Sequence, residues 1–223
     1  MTRNTVSALL LTPLALLAAS VASAQEIPRP NYNFIELDYV YATVDAASDN
    51  LGDQANADTW YVPEGLALKG SVVLLDQLLL RGSYYGGKGE WKKTTDVELT
   101  SGVVSAGWLA PTTDATGIDV SLEYRADELK FKGQGEPDGK IEGPGIVFGV
   151  RTAPWKSVEL GLRAGWYEGD FNGAIGFGLS GAWNIGDHWG VNLSWDRIDA
   201  DPKKSDFNKY ELNQFALGGR FYF

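Results

Sequence analysis

From residue 33 to the carboxy terminus, hydrophobic and polar positions alternate with a period of two in short runs, as they do in strands with one apolar and one polar face. In the last stretch Phe215, Leu217, Phe221 and Phe223 share one face, and Ala216, Gly218, Arg220 and Tyr222 the other. The cleanest run sets Ile118, Val120, Leu122 and Tyr124 against Asp119, Ser121, Glu123 and Arg125. Near the amino end Ile35, Leu37, Tyr39 and Tyr41 oppose Glu36 and Asp38. Leu66, Leu68, Val72 and Leu74 then oppose Lys69 and Ser71, and Leu78, Leu80 and Tyr84 oppose Arg81 and Ser83. Further on, Ile146, Phe148 and Val150 oppose Val147, Gly149 and Arg151, while Val158, Leu160, Leu162, Ala164 and Trp166 oppose Glu159, Gly161, Arg163, Gly165 and Tyr167. Ile175, Phe177 and Leu179 stand opposite the small Ala174, Gly176, Gly178, Ser180 and Ala182. Trp189, Val191, Leu193 and Trp195 stand opposite Asn192, Ser194 and Asp196. One run, 97–109, has no clean face: Val97, Leu99, Val103 and Leu109 lie with Ser101, Ser105 and Gly107. The pattern predicts an all-β chain of ten strands, with eight as the alternative.

The connections sort into two sets. Those at 76–77, 110–117, 152–157 and 184–188 are mostly short, whereas those at 45–62, 86–96, 126–142 and 197–209 are longer and polar; only 168–173 breaks the contrast. An even strand number with both termini on one side requires such alternation. Aromatic residues on the apolar faces also sort by height. Tyr41, Tyr84, Tyr124, Trp166 and Trp195 lie near one set of strand ends, and Trp183, Trp189, Phe221 and Phe223 near the other. Two such girdles mark a barrel in a bilayer rather than a soluble sandwich, which buries its apolar face and has no reason to sort aromatics by height. The opposite faces carry Glu36, Asp38, Lys69, Arg81, Glu98, Asp119, Glu123, Arg125, Arg151, Glu159, Arg163, Asp196 and Arg220. Acids and bases are nearly balanced there, and long side chains crossing a narrow interior pair with one another, because an unpaired buried charge is costly. Lipid supplies no hydrogen-bonding partner, so the first strand is expected to close on the tenth in an antiparallel up-and-down transmembrane β-barrel.

Residues 1–24 have the form of a cleaved secretory signal: Arg3, an apolar run from Ala8 to Ala19, and small residues Ala22, Ser23 and Ala24 before Gln25. Residues 25–32, with two prolines, are expected to form an irregular periplasmic lead-in to a barrel domain spanning 33–223. The formal charge of −10, without a basic cluster, argues against a nucleic-acid partner. The absence of cysteine removes disulfide, thiolate-metal and Cys-nucleophile chemistry together.

The signal segment, the strand pattern and the terminal Gly219, Arg220, Phe221, Tyr222 and Phe223 resemble the OmpA/OmpX-like superfamily of small outer-membrane barrels. The segments Asn33-Phe34-Ile35-Glu36, Gly149-Val150-Arg151-Thr152 and Trp189-Gly190-Val191-Asn192 are similar to a gammaproteobacterial subfamily once proposed as secreted immune-eliciting or quorum-sensing factors. The resemblance implies a Gram-negative outer membrane, a terminal Phe223 read by the barrel-insertion machinery, contact with lipid and lipopolysaccharide, and loops open to an extracellular partner.

Candidate chemistry is sparse. Barrel enzymes that act on lipid or peptide typically use a His with Asp, Ser or Glu partners, and the single His188 lies in a predicted turn beside Asp187 and Trp189. A catalytic site, a cofactor and a metal site are therefore not expected. The acidic loop with Asp45, Asp49, Asp53 and Asp58 lacks EF-hand spacing and reads as a solvated loop. The small wall from Ala174 to Ala182 leaves two readings, a narrow solute channel or room for Arg163 and its partners, of which the second is favoured. The expected function is a non-enzymatic barrel with an ion-paired interior that displays external loops or supports envelope integrity.

Overall fold

In a computed structural model, which describes residues 30–47, 58–91, 95–113, 115–132, 139–170, 173–201 and 209–223, strand follows strand in one closed sheet. The described strands are β1 (Phe34–Ala47), β2 (Asp58–Leu74), β3 (Leu78–Trp91), β4 (Thr95–Thr113) and β5 (Thr116–Lys132), followed by β6 (Gly139–Trp155), β7 (Val158–Tyr167), β8 (Ala174–Ile185), β9 (Trp189–Ala200) and β10 (Lys209–Tyr222). Each runs antiparallel to its neighbours. Closure is made by β1 and β10, with Ile35 opposite Phe221, Leu37 opposite Gly219 and Tyr41 opposite Phe215. No edge is left for hydrocarbon to strip of hydrogen bonds. Ten strands, not eight, make the barrel. The predicted signal segment and residues 25–29 lie outside the described residues.

At the end where β1 starts and β10 stops, here the near end, the turns are tight. Residues 75–77 join β2 to β3 with Leu75 and Asp76 in the left-handed region (φ 51° and 64°), a hairpin geometry whose twist suits the flanking strands. At the far end the strands run well past their predicted limits, into the stretches 86–96 and 126–142 that the sequence marks as loops. β3 continues to Trp91, β5 to Lys132, and β6 starts at Gly139. The near-end connection placed at 110–117 is likewise mostly strand, since β4 reaches Thr113 and β5 resumes at Thr116.

The extension has a physical reason: the alternation continues at the far end with its phase reversed. Lower on β5 the outward residues are apolar, with Leu122 70% exposed, and the inward ones are Asp119, Glu123 and Arg125. Higher on the same strand Glu128 and Lys130 face outward, and Leu129 is 2% exposed inside. β9 changes in the same way, from outward Leu193 to outward Arg197 and Asp199, with Ile198 buried within. On β10 the buried Tyr210 and Leu212 replace the buried Arg220 as the inward residues. Where hydrocarbon surrounds the wall the apolar face must point out, and where water surrounds it the apolar face must point in. The fourth strand lacks a clean face because it obeys both rules. Its inward positions are Val97 and Leu99 at the far end, Ser101 to Gly107 in the middle and Leu109 at the near end, while Trp108 points outward.

Candidate functional site: the interior of the barrel

The interior is layered along its axis. At the near end Tyr32, Leu79 and Leu109 form an apolar floor with Val73 beside it. The lead-in is not free of the barrel: residues 30–33 have no regular structure but tuck into its mouth, with Pro30 and Tyr32 buried. Asn33 anchors them, its Oδ1 accepting from the Val73 amide at 2.7 Å and its carbonyl from the Phe223 amide at 3.2 Å. Phe34, 6% exposed, lies 4.1 Å from the Arg220 guanidinium and 5.2 Å from that of Arg151, which also stands 4.8 Å from the Tyr32 ring. Desolvated cation–ring contacts of this kind are worth about 2 kcal/mol. The Arg151 Nη1 donates to the Asn31 carbonyl at 3.2 Å.

Above this floor lies a band of paired charges. Arg220 donates through Nε to Glu36 Oε2 at 2.7 Å and through Nη2 to Asn192 Oδ1 at 3.0 Å, while Asn192 Nδ2 donates to Glu36 Oε1 at 2.9 Å. Lys69 joins the cluster, its Nζ 2.8 Å from Asp38, 3.3 Å from Glu36 and 2.9 Å from Ser194 Oγ. Arg81 forks onto Asp119 at 2.9 and 2.6 Å. Glu123 accepts from Arg163 and from the Tyr167 hydroxyl, each at 2.5 Å. Arg125 donates to Asp127 at 2.8 Å. Glu159 sits between the layers, accepting from Asn184 Nδ2 at 3.4 Å and facing Arg220 at 3.7 Å. Asp196 lies over Gly178, where a side-chain carbon would meet its carboxylate.

Every interior charge named from the sequence faces inward except Glu98. That residue stands on the outer face and pairs with Lys88 at 3.3 Å, because the phase reversal puts Val97 and Leu99 inside. Asp127, which the sequence reading missed, takes its place within. Its position two residues beyond Arg125, on the same face of a strand, was the available signal.

A third, apolar layer lies at the far end. Val44, Val62, Leu99, Leu129, Ile141, Ile198, Tyr210 and Leu212 are almost wholly buried in one apolar cluster. No sequence expectation covered it. Between the two apolar layers lies a cavity of about 160 Å³, lined among others by Lys69, Arg81, Arg163, Asp196, Gln214 and Arg220. The charged and amide side chains among its walls are the hydrogen-bonding partners that ordered water needs.

On the outer face Tyr41, Tyr84, Tyr124 and Trp166 are exposed at the upper limit of the apolar belt, and Trp195 packs against Phe215 at 6.4 Å. Trp183, Trp189 and Phe221 are exposed at the near end, the last two in edge contact at 5.0 Å. Trp108 and Trp155 join them there. Phe223 ends the chain beside Asn33. His188 occupies an exposed turn, with Nδ1 3.2 Å from the Tyr222 carbonyl and its ring stacked 6.0 Å from Phe221. Asp45 and Asp58 lie on β1 and β2, while Asp49 and Asp53 fall outside the described residues. Among the described residues no group of three or more His, Cys, Asp or Glu side chains is arranged to hold a metal ion.

No family model and no curated protein matches the sequence. Solved structures do match the fold. An outer-membrane channel from Pseudomonas putida F1 superposes with a TM-score of 0.51 at 12% identity, covering 92% of this chain and 100% of that one. The outer-membrane protease OmpT from Escherichia coli gives 0.51 at 11% identity, over 92% and 99%. Neisserial surface protein A gives 0.43 at 15% identity, over 85% and 96%. The chain has the fold of the small outer-membrane β-barrels. One fold with a channel and a protease among its bearers decides architecture, not activity.

Proposed function

We propose that the protein is a non-enzymatic barrel of a Gram-negative outer membrane, exported through a cleaved signal peptide, whose stopped interior carries a rigid extracellular collar. The observation that supports this reading is the pair of apolar clusters inside the barrel, one around Tyr32 and Leu109 at the near end and one including Leu129 and Tyr210 at the far end. In this reading the near end is periplasmic and Phe223 is the insertion signal. The collar is the reversed part of the wall. Its outward face carries the pairs Lys88–Glu98 at 3.3 Å, Lys130–Glu128 at 2.8 Å and Lys140–Glu142 at 2.6 Å, a charge-balanced surface that water or a polar partner can cover. Lipopolysaccharide and an extracellular partner of the loops are the contacts proposed for it, with envelope integrity as the outcome.

The narrow-channel alternative needs a water path through both apolar layers, and the enzyme alternative needs a base that the interior His count does not supply, His188 lying in the near-end turn. Planar-bilayer recording of the purified full chain separates the first two readings. Silent traces are expected, and unitary openings of reproducible size would overturn the stopped barrel. Turnover of a lipid or peptide substrate that is lost in His188→Ala would revive the enzyme.

A further inference from the structure

The outer wall is not uniformly convex. Across β6 to β10 it carries a concave apolar groove of about 640 Å³. One bank is the cross-strand row Val150, Leu162, Leu179, Trp195 and Phe215, each residue directly opposite the next. The other bank is Thr152, Leu160 and Leu193, interrupted by Gly181 between the two leucines. Four interstrand spacings of about 4.8 Å make the groove about 19 Å long. It begins beneath the Trp195–Phe215 ring pair, at the upper limit of the apolar belt, and runs obliquely down the wall because strands of such barrels tilt by about 40°.

Gly181 is the residue that makes the depression, and nothing around it demands a glycine. A side-chain carbon there would come no nearer than 3.8 Å to Leu160, ordinary contact distance, and the residue is not among the glycines with positive φ. Its neighbours along the strand, Leu179 and Trp183, are bulky and exposed. The interior glycines differ, since at Gly178 and Gly161 an inward side chain already fills the space.

We propose that this groove seats one saturated acyl chain of an outer-leaflet lipid, held against the wall beneath Trp195 and Phe215 rather than exchanging freely with the surrounding bilayer. A long, narrow, apolar concavity at hydrocarbon depth matches a flexible hydrocarbon chain in shape and chemistry. A second copy of the barrel fits the groove poorly, because a broad convex wall rests on its banks and leaves the concavity itself unfilled.

Native mass spectrometry of the full chain, released from detergent after titration with dimyristoylphosphatidylglycerol, tests this. The unaltered protein is expected to retain one lipid per barrel. Gly181→Leu and Leu193→Trp, each filling the groove from a different strand, should weaken retention about tenfold, the effect of excluding about two methylenes. Gly102→Leu is the control, on the outward face of β4 with no atom near its would-be side chain. Equal retention by all four proteins overturns the site, as does a dimer that the groove-filling variants abolish. Two filling positions keep the result decisive if either variant fails to fold.

Discussion

Arginine placed at successive outward positions of β5 measures the height at which the surroundings change from hydrocarbon to water. With about 3.3 Å of rise per residue and a tilt of about 40°, each residue climbs about 2.5 Å. An apolar band about 25 Å tall then takes about ten residues. Counted from Thr116 at the near end, it stops at Ala126, one outward position short of Glu128. Val120 and Leu122 fall at its middle, so Leu122→Arg should cost about 2–4 kcal/mol, and Tyr124→Arg less. Glu128→Arg should cost no more than the surface pair with Lys130 it removes, about 0–1 kcal/mol. The interior mirrors this profile. Leu129→Arg, one residue away, puts a cation into the apolar stopper and should prevent folding or cost several kcal/mol. Urea titration of each variant in phospholipid vesicles, followed by tryptophan fluorescence, gives the free energies. A flat profile along the outward positions, or a penalty at Glu128 equal to that at Leu122, refutes the phase reversal.

Three further outcomes follow from the interior layers. Arg220→Met leaves Glu36 and Asn192 buried without their donor and should cost about 3–5 kcal/mol by the same titration, whereas adding Glu36→Leu should recover most of the loss, since a buried pair replaced as a unit is often neutral. Leu129→Ala should destabilise by about 2–5 kcal/mol and speed hydrogen exchange in the far-end strands before those of the belt. Tyr32→Gly, which removes the ring from the near-end floor, should by itself leave bilayer traces silent because the far layer still stops the interior. Only its combination with Leu129→Gly should open a path, and steps from Tyr32→Gly by itself would show that the far layer leaks.

Which parts of the chain were legible depended on whether one solvent or two acted on a strand. The stretch 118–125 lies wholly within the belt, so its alternation has one meaning, and Asp119, Glu123 and Arg125 could be placed inside by counting. The stretch 97–109 crosses the boundary, and the rule that apolar residues face lipid put Glu98 inside when it stands outside. The same rule turned 126–132 and 139–142 into loop, because charge at every second position signals exposure but does not say whether the hidden face is lipid or core. Partners were less legible than faces. That Arg163 meets Glu123 across β5 and β7, or that Arg220 reaches Asn192, depends on barrel closure and stagger, which no local window contains. The packing of Tyr32 into the mouth was hidden for a related reason, as its ring partner Arg151 is far away in the chain.

The small wall on β7 and β8 can now be assigned a cause and tested. A side-chain carbon at Gly178 would meet Asp196 and stand 3.7 Å from Arg163, one at Gly161 would meet Ser180, and those at Gly165 and Gly176 would meet the Tyr167 ring. The missing volume is therefore occupied by the charged and aromatic side chains of the central band, and about 160 Å³ remains between them. Gly178→Ala should push on Asp196 and Arg163 and cost about 1–3 kcal/mol, the usual effect of overpacking. Gly102→Ala, with open space around it, should be neutral or gain a little from the stiffer unfolded chain. If Gly178→Ala is as silent as Gly102→Ala, the wall is slack at the level of the charges, and the glycines would then mark a water path that the paired side chains do not fill.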